Sequence, residues 1–139
     1  MRVLAFAGCV LALMLVGCGS RQEQNTDTVQ GKVVTSYDEA MASAKSENRP
    51  ILIVAYQSGL DRIEQNLLND PAVKERSGKV ITAKLDATVQ GPSISHLGIT
   101  QYPAILVLRP DGTEVWRSRG VPFPGEVAQA LDQASAAKN

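Results

Sequence analysis

A single α/β domain, with a central mixed sheet of four to five strands flanked by helices, is predicted by three observations. Ile51 to Tyr56 (ILIVAY) is an unbroken β-branched and aliphatic run, the pattern of a strand buried on both faces and paired in parallel. Arg109-Pro110-Asp111-Gly112 places Pro and Gly where a hairpin turn wants them, so part of the sheet is antiparallel. Between the strands, apolar residues recur at spacings of three and four, which gives helices with one buried face. At 139 residues, 44% hydrophobic and 20% charged, the chain has room for one ordinary core. Its 14 basic and 14 acidic side chains cancel, and without a basic run there is no electrostatic case for nucleic acid.

The first segment reads as a processing signal. Arg2 supplies positive charge, Val3 to Val16 is almost wholly apolar, and Leu15-Val16-Gly17-Cys18 closes the run. The run falls short of the roughly 20 residues of a comfortable membrane span. Its last four residues resemble a bacterial lipobox. That resemblance implies a lipoprotein signal peptide at 1–17 and an acylated Cys18. An ordinary secretory signal or an uncleaved anchor is the alternative. Several acyl chains on one residue would hold the protein firmly on a membrane. Gly19, not Asp, follows the cysteine, which favours the outer membrane and places the domain in the periplasm-facing envelope. Residues 18–31 then comprise Cys18 and a tether, GSRQEQNTDTVQG, without apolar periodicity; as a coil its 13 residues would reach on the order of 20 Å.

Residues 32–139 carry the fold. Lys32 to Thr35 is a short edge strand. Ser36 and Glu39 form a Ser-x-x-Glu capping box for a helix with an apolar stripe of Tyr37, Ala40, Met41 and Ala44, ended by Asn48-Arg49-Pro50. After the central strand, Gln57-Ser58-Gly59 turns the chain into a helix that buries Leu60, Ile63, Leu67 and Leu68 and shows Asp61, Arg62, Glu64 and Gln65 to water. Asn69-Asp70-Pro71 stops it and caps a second piece, Ala72 to Arg76. Lys79 to Asp86 alternates as the next strand. Thr88 to Ser95 reads as loop, broken by Gly91-Pro92, with a helical turn before Gly98. Ala104 to Leu108 is another buried strand, Thr113 to Ser118 returns antiparallel, and Pro124 to Ala137 is the closing helix, buried along Val127, Ala130, Leu131 and Ala134.

From about Ser36 to Ala134 this order and these strings resemble thioredoxin-like domains: an apolar strand entering a turn and helix, the Asn-Asp-Pro step, KVITAKLD, and GITQYPAILVLRPDG. The resemblance implies that the Tyr102-Pro103 bond is cis and that the backbone before Pro103 lies beside the active-site turn, where it can pair with an extended peptide. Counting back from Asn69-Asp70-Pro71, the Cys-x-x-C positions fall at Gln57, Ser58, Gly59 and Leu60; counting forward from the strand, at Leu60 to Ile63. Neither register holds a cysteine. The acid that assists proton transfer in that family would fall near Val54 and is absent, leaving Lys84 to snorkel to solvent or find a carbonyl.

The chain's two cysteines are Cys9, inside the signal, and Cys18, blocked if acylated. Dithiol exchange needs an attacking thiolate and a second sulfur, so the mature domain is expected to be redox-inactive and not an enzyme. The expected role is binding of an envelope protein or peptide, with Tyr56, Tyr102 and Pro103 as the candidate surface and no metal or cofactor. The alternatives are a redox enzyme that borrows a partner's thiols, a hydrolase centred on Ser58, and a purely structural domain. Ser58 lacks a base, since the single histidine, His96, lies in a separate loop, and a serine before a helix is ordinarily a cap. A lone imidazole is read as packing and not as a metal ligand. Trp116 is expected to pack on the closing helix or lie half-exposed at the edge.

Overall fold

The structure, a computed structural model, describes residues 31–136. The signal peptide at 1–17, Cys18 and all but the last residue of the tether lie outside the described residues.

Five strands, β1 (Lys32–Val34), β2 (Ile51–Tyr56), β3 (Ile81–Asp86), β4 (Ala104–Leu108) and β5 (Glu114–Arg119), form one sheet in the order β1-β3-β2-β4-β5. β2 pairs in parallel with β3 from Ile51↔Ile81 to Tyr56↔Asp86, and antiparallel with β4 from Ile51↔Leu108 to Ala55↔Ala104. The unbroken apolar run in β2 follows from this place: flanked by a strand on each side and covered on both faces, it has Ile51 to Ala55 buried.

Alternation along the strands divides the core in two. Ile51, Ile53, Ile81, Ala83, Leu85 and Leu106 face α1 (Tyr37–Glu47). Leu52, Val54, Ile105 and Val107 face α2 (Leu60–Ile63), α3 (Pro71–Ser77) and α5 (Pro124–Ala136). The α5 face is the expected one, with Ala128 added to it. Trp116 is half-buried against this second cluster. The Asn-Asp-Pro step works as read: Asp70 Oδ1 accepts the Ala72 amide at 2.9 Å, and Pro71 takes the first helical position. Arg76 then ties α3 to α5 with a two-pronged ion pair to Asp132, 2.8 and 2.9 Å.

Three local expectations are corrected. Ser36 stands at the N-cap of α1 with extended backbone, but its hydroxyl accepts no amide, so no capping box forms; Asp38 and Glu39 instead place negative charge at the helix's positive end. The segment after β3 is α4 (Ala87–Ile94), a helix where Gly91-Pro92 suggested loop, continued by a 3-10 turn, Ser95–Leu97. Asp86 caps α4 by accepting the Thr88 amide at 2.9 Å, and Ile94 is buried, which together offset the hydrogen bond that Pro92 cannot donate. α2 runs directly into a π-helical turn, Glu64–Leu68, closed by the Asn69 amide on the Glu64 carbonyl at 2.8 Å.

The hairpin forms as expected: the Gly112 amide reaches the Arg109 carbonyl at 2.9 Å, and Gly112 sits at φ +90°, where a side chain is strained.

Leu106, fully buried on β4, should cost about 2–5 kcal/mol when cut back in Leu106→Ala, read by urea unfolding. Hydrogen bonds from Thr88, Thr113 and Arg76 lower the pKa of Asp86, Asp111 and Asp132 respectively. Each favours its ionised form only in the folded chain, so stability should hold above about pH 4 and fall as the pH drops below it. Thermal melts across pH 2–7 check this, and Asp132→Asn should flatten the acid limb.

Candidate functional site

The strand register fixes one end of the sheet as the place where the sequence-derived site residues meet. β2 ends at Tyr56, β4 begins at Ala104, and Ala55 pairs with Ala104, so the turn after β2 and the segment before β4 leave the sheet side by side. The Tyr102–Pro103 peptide is cis. Pro103 is drawn into the sheet, its carbonyl accepting the Gly120 amide at 2.7 Å, whereas Tyr102 precedes the strand.

Gln57, Ser58 and Gly59 are exposed, and half-buried Leu60 opens α2. The cap of α2 is Gly59, in the left-handed region at φ 72°, and no side chain bonds its first amides. Ser58 is therefore not the cap that its place in the sequence suggested. Both tyrosines are half-buried, on opposite sides: Tyr56 packs on the cluster under α2 and α5, Tyr102 on the cluster under α1. His96 packs edge-on against Tyr37, ring centroids 4.7 Å apart, which joins the 3-10 turn to the start of α1. Burial, with the nearby Asp38 charge, raises the Tyr37 hydroxyl's pKa. Among the described residues no three Asp, Glu, His or Cys side chains gather as metal ligands, and no helix is long and apolar enough to cross a membrane.

Lys84 has a partner that the sequence did not reveal. Val54 lies across from it in the β2–β3 pairing, and the carboxylate comes instead from the helix: Lys84 Nζ donates to Glu64 Oε1 at 2.5 Å, both side chains partly buried. Glu64, expected to face water, is half-buried where α2 passes into the π-helical turn, and there it meets Lys84.

A second feature missed in the sequence is the β5–α5 connection. Gly120-Val121-Pro122-Phe123-Pro124 leaves β5 beside Pro103 and leads into α5. Phe123 is 79% exposed and Val121 47%, although both are large and apolar. The Glu126 carboxylate accepts the Phe123 amide at 3.2 Å, holding the connection in place. An aromatic residue between two prolines was the available signal, since prolines restrict the backbone and keep the ring out of a strand or helix interior.

The fold is thioredoxin-like, with its five-stranded mixed sheet between five helices. A thioredoxin from Thermus thermophilus superimposes with a TM-score of 0.62 at 18% identity, over 77% of this chain and 88% of that one. The oxidoreductase DsbH gives 0.60 at 15% identity, over 79% and 89%. Trxlp from Edwardsiella tarda gives 0.54 at 22%, over 72% and 98%. No protein-family model and no curated protein matches the chain by sequence.

The Glu64–Lys84 pair should show a coupling of about 1 kcal/mol in a double-mutant cycle of Glu64→Gln and Lys84→Met followed by denaturant unfolding, between the values of exposed and buried pairs.

Proposed function

We propose that this is a membrane-anchored, redox-inactive thioredoxin-fold lipoprotein that binds another envelope protein, or an extended segment of one. The observation that carries the reading is the composition of the end of the sheet where thioredoxins do their chemistry. The turn Gln57–Leu60 contains no sulfur, and around it stand a cis-Pro103, half-buried Tyr102 and exposed Val121 and Phe123. An apolar surface beside a backbone segment free to pair suits strand addition, in which main-chain hydrogen bonds give affinity and flanking apolar side chains give selectivity. Phe123 is the natural anchor, because exposed aromatic residues on rigid connections dominate binding energy where they are covered.

The anchoring part of the proposal rests on Leu15-Val16-Gly17-Cys18. Acylation of Cys18 would fix the domain to the membrane and remove the chain's last thiol once residues 1–17 are cleaved. Thiol exchange would then have no nucleophile to start it.

Three measurements test this reading. The mature chain should reduce insulin no faster than buffer with dithiothreitol alone; turnover above that background overturns redox inactivity. Cys18→Ser should move the protein from the membrane fraction to the soluble fraction, and retention in the membrane would remove the lipid anchor from the proposal. A photocrosslinker at Tyr102 or Gln57 should capture a recurrent envelope protein in cells, and Phe123→Ser should cut that yield by about tenfold, the scale of one buried aromatic contact. Capture that ignores Phe123→Ser would exclude the aromatic anchor.

A further inference from the structure

We infer, building on the binding reading above, that Arg117 is the positioning residue of the candidate surface: its guanidinium fixes the chain at Leu97 and Gly98 and so presents the open main chain of Ile99 to Tyr102 to an extended partner. These four residues link the 3-10 turn to β4 and form no main-chain hydrogen bond among the described residues. The side chains of Ile99 and Tyr102 lean on the cluster under α1. Just beyond the segment, the Pro103 carbonyl is held by the Gly120 amide at 2.7 Å. Just before it, Arg117 donates from Nη2 to the Leu97 carbonyl at 2.6 Å and from Nη1 to the Gly98 carbonyl at 3.1 Å. The open segment is thus suspended between two fixed ends, and both are tied to β5 or its last turn.

An irregularity in β5 aims the guanidinium. On a regular strand, residues three apart point to opposite faces. Here Trp116 pairs with Val107 and Glu114 with Leu108, so Val115 is an extra residue in β5, and Glu114 and Arg117 come to one face. There the Glu114 carboxylate accepts from Arg117 Nε at 2.9 Å and from Nη2 at 2.7 Å. Such a two-pronged contact sets the plane of the guanidinium, and its other N–H groups then meet Leu97 and Gly98.

A donor at the end of the 3-10 turn would also satisfy carbonyls that the turn leaves without partners, and this alone accounts for the Leu97 contact. It does not call for the Glu114 clamp, which fixes where the guanidinium sits. Placement matters at this point of the chain. Gly98 is in the left-handed region at φ 64°, so the chain changes direction there, and a shift at its carbonyl re-aims the residues that follow. A strand-adding partner needs its pairing segment extended and in place, and apparent affinity falls in proportion to the fraction of time that it is so.

The test reads backbone ¹⁵N order parameters of the full chain in detergent, together with capture in cells by a photocrosslinker at Gln57. Thr100, Gln101 and Tyr102 should give values of about 0.85 in the wild type and below about 0.6 in Arg117→Met, with β2 and β3 unchanged. Arg117→Lys keeps the charge but lacks the fork, and should behave as Arg117→Met does. Capture from Gln57 should fall about tenfold in both variants, the effect of a segment in place one tenth of the time. Should Arg117→Met not fold, Glu114→Ala, at an exposed position, removes the clamp alone and should show both changes to a smaller extent. Order parameters that the variants leave unchanged overturn the proposal. So does a loss of order with capture undiminished, which leaves Arg117 a purely structural role. A wild-type chain that captures no recurrent protein overturns the binding reading instead, and the order parameters still decide whether Arg117 fixes the segment.

Discussion

The pairing of β2 between β3 and β4 is the constraint on which the rest depends. Because β2 is buried on both faces, its register cannot slip by one residue without exchanging the two clusters of core side chains. The same register brings Tyr56 level with Asp86 and Ala55 level with Ala104. It therefore decides that the turn at Gln57–Leu60 emerges next to Tyr102 and Pro103, and that Arg49, Lys79 and Arg109 collect at the other end.

How much was legible depended on whether a residue's environment is set by its neighbours in sequence. β2 and β4 were read to the residue, because a continuous apolar run bounded by turn formers has few other solutions. α4 was missed because Gly91 and Pro92 are locally strong helix breakers, while Asp86's cap and the burial of Ile94 are tertiary matters. The capping box at Ser36 was a correct placement with the wrong bond: the residue is at the cap, and its hydroxyl is not engaged. At the candidate site, the adjacency of the turn to Pro103 followed from the family resemblance. Phe123's exposure did not, since nothing in an apolar letter distinguishes core from surface.

The Lys84–Glu64 pair shows how a partly buried strand cation is balanced from a neighbouring helix. Across from Lys84 in the β2–β3 pairing stands Val54, wholly buried, where a lone carboxylate would pay for desolvation. The ammonium on β3 still needs a counter-charge, and the helix provides it from Glu64. Glu64 stands where α2 passes into the π-helical turn, and its carbonyl accepts the Asn69 amide that closes that turn.

Gly31 meets the end of α3 so closely that a Cβ there would fall 1.7 Å from the Ser77 carbonyl oxygen. The chain thus joins the domain through a position open only to glycine, at the pole where β1 starts. Tyr102, Pro103 and Phe123 stand at the antipode, about 20 Å away along the six residues of β2. A molecule held by its leading segment would point those side chains outward, as a lamp on a stalk faces away from its base, leaving them accessible however short the stalk.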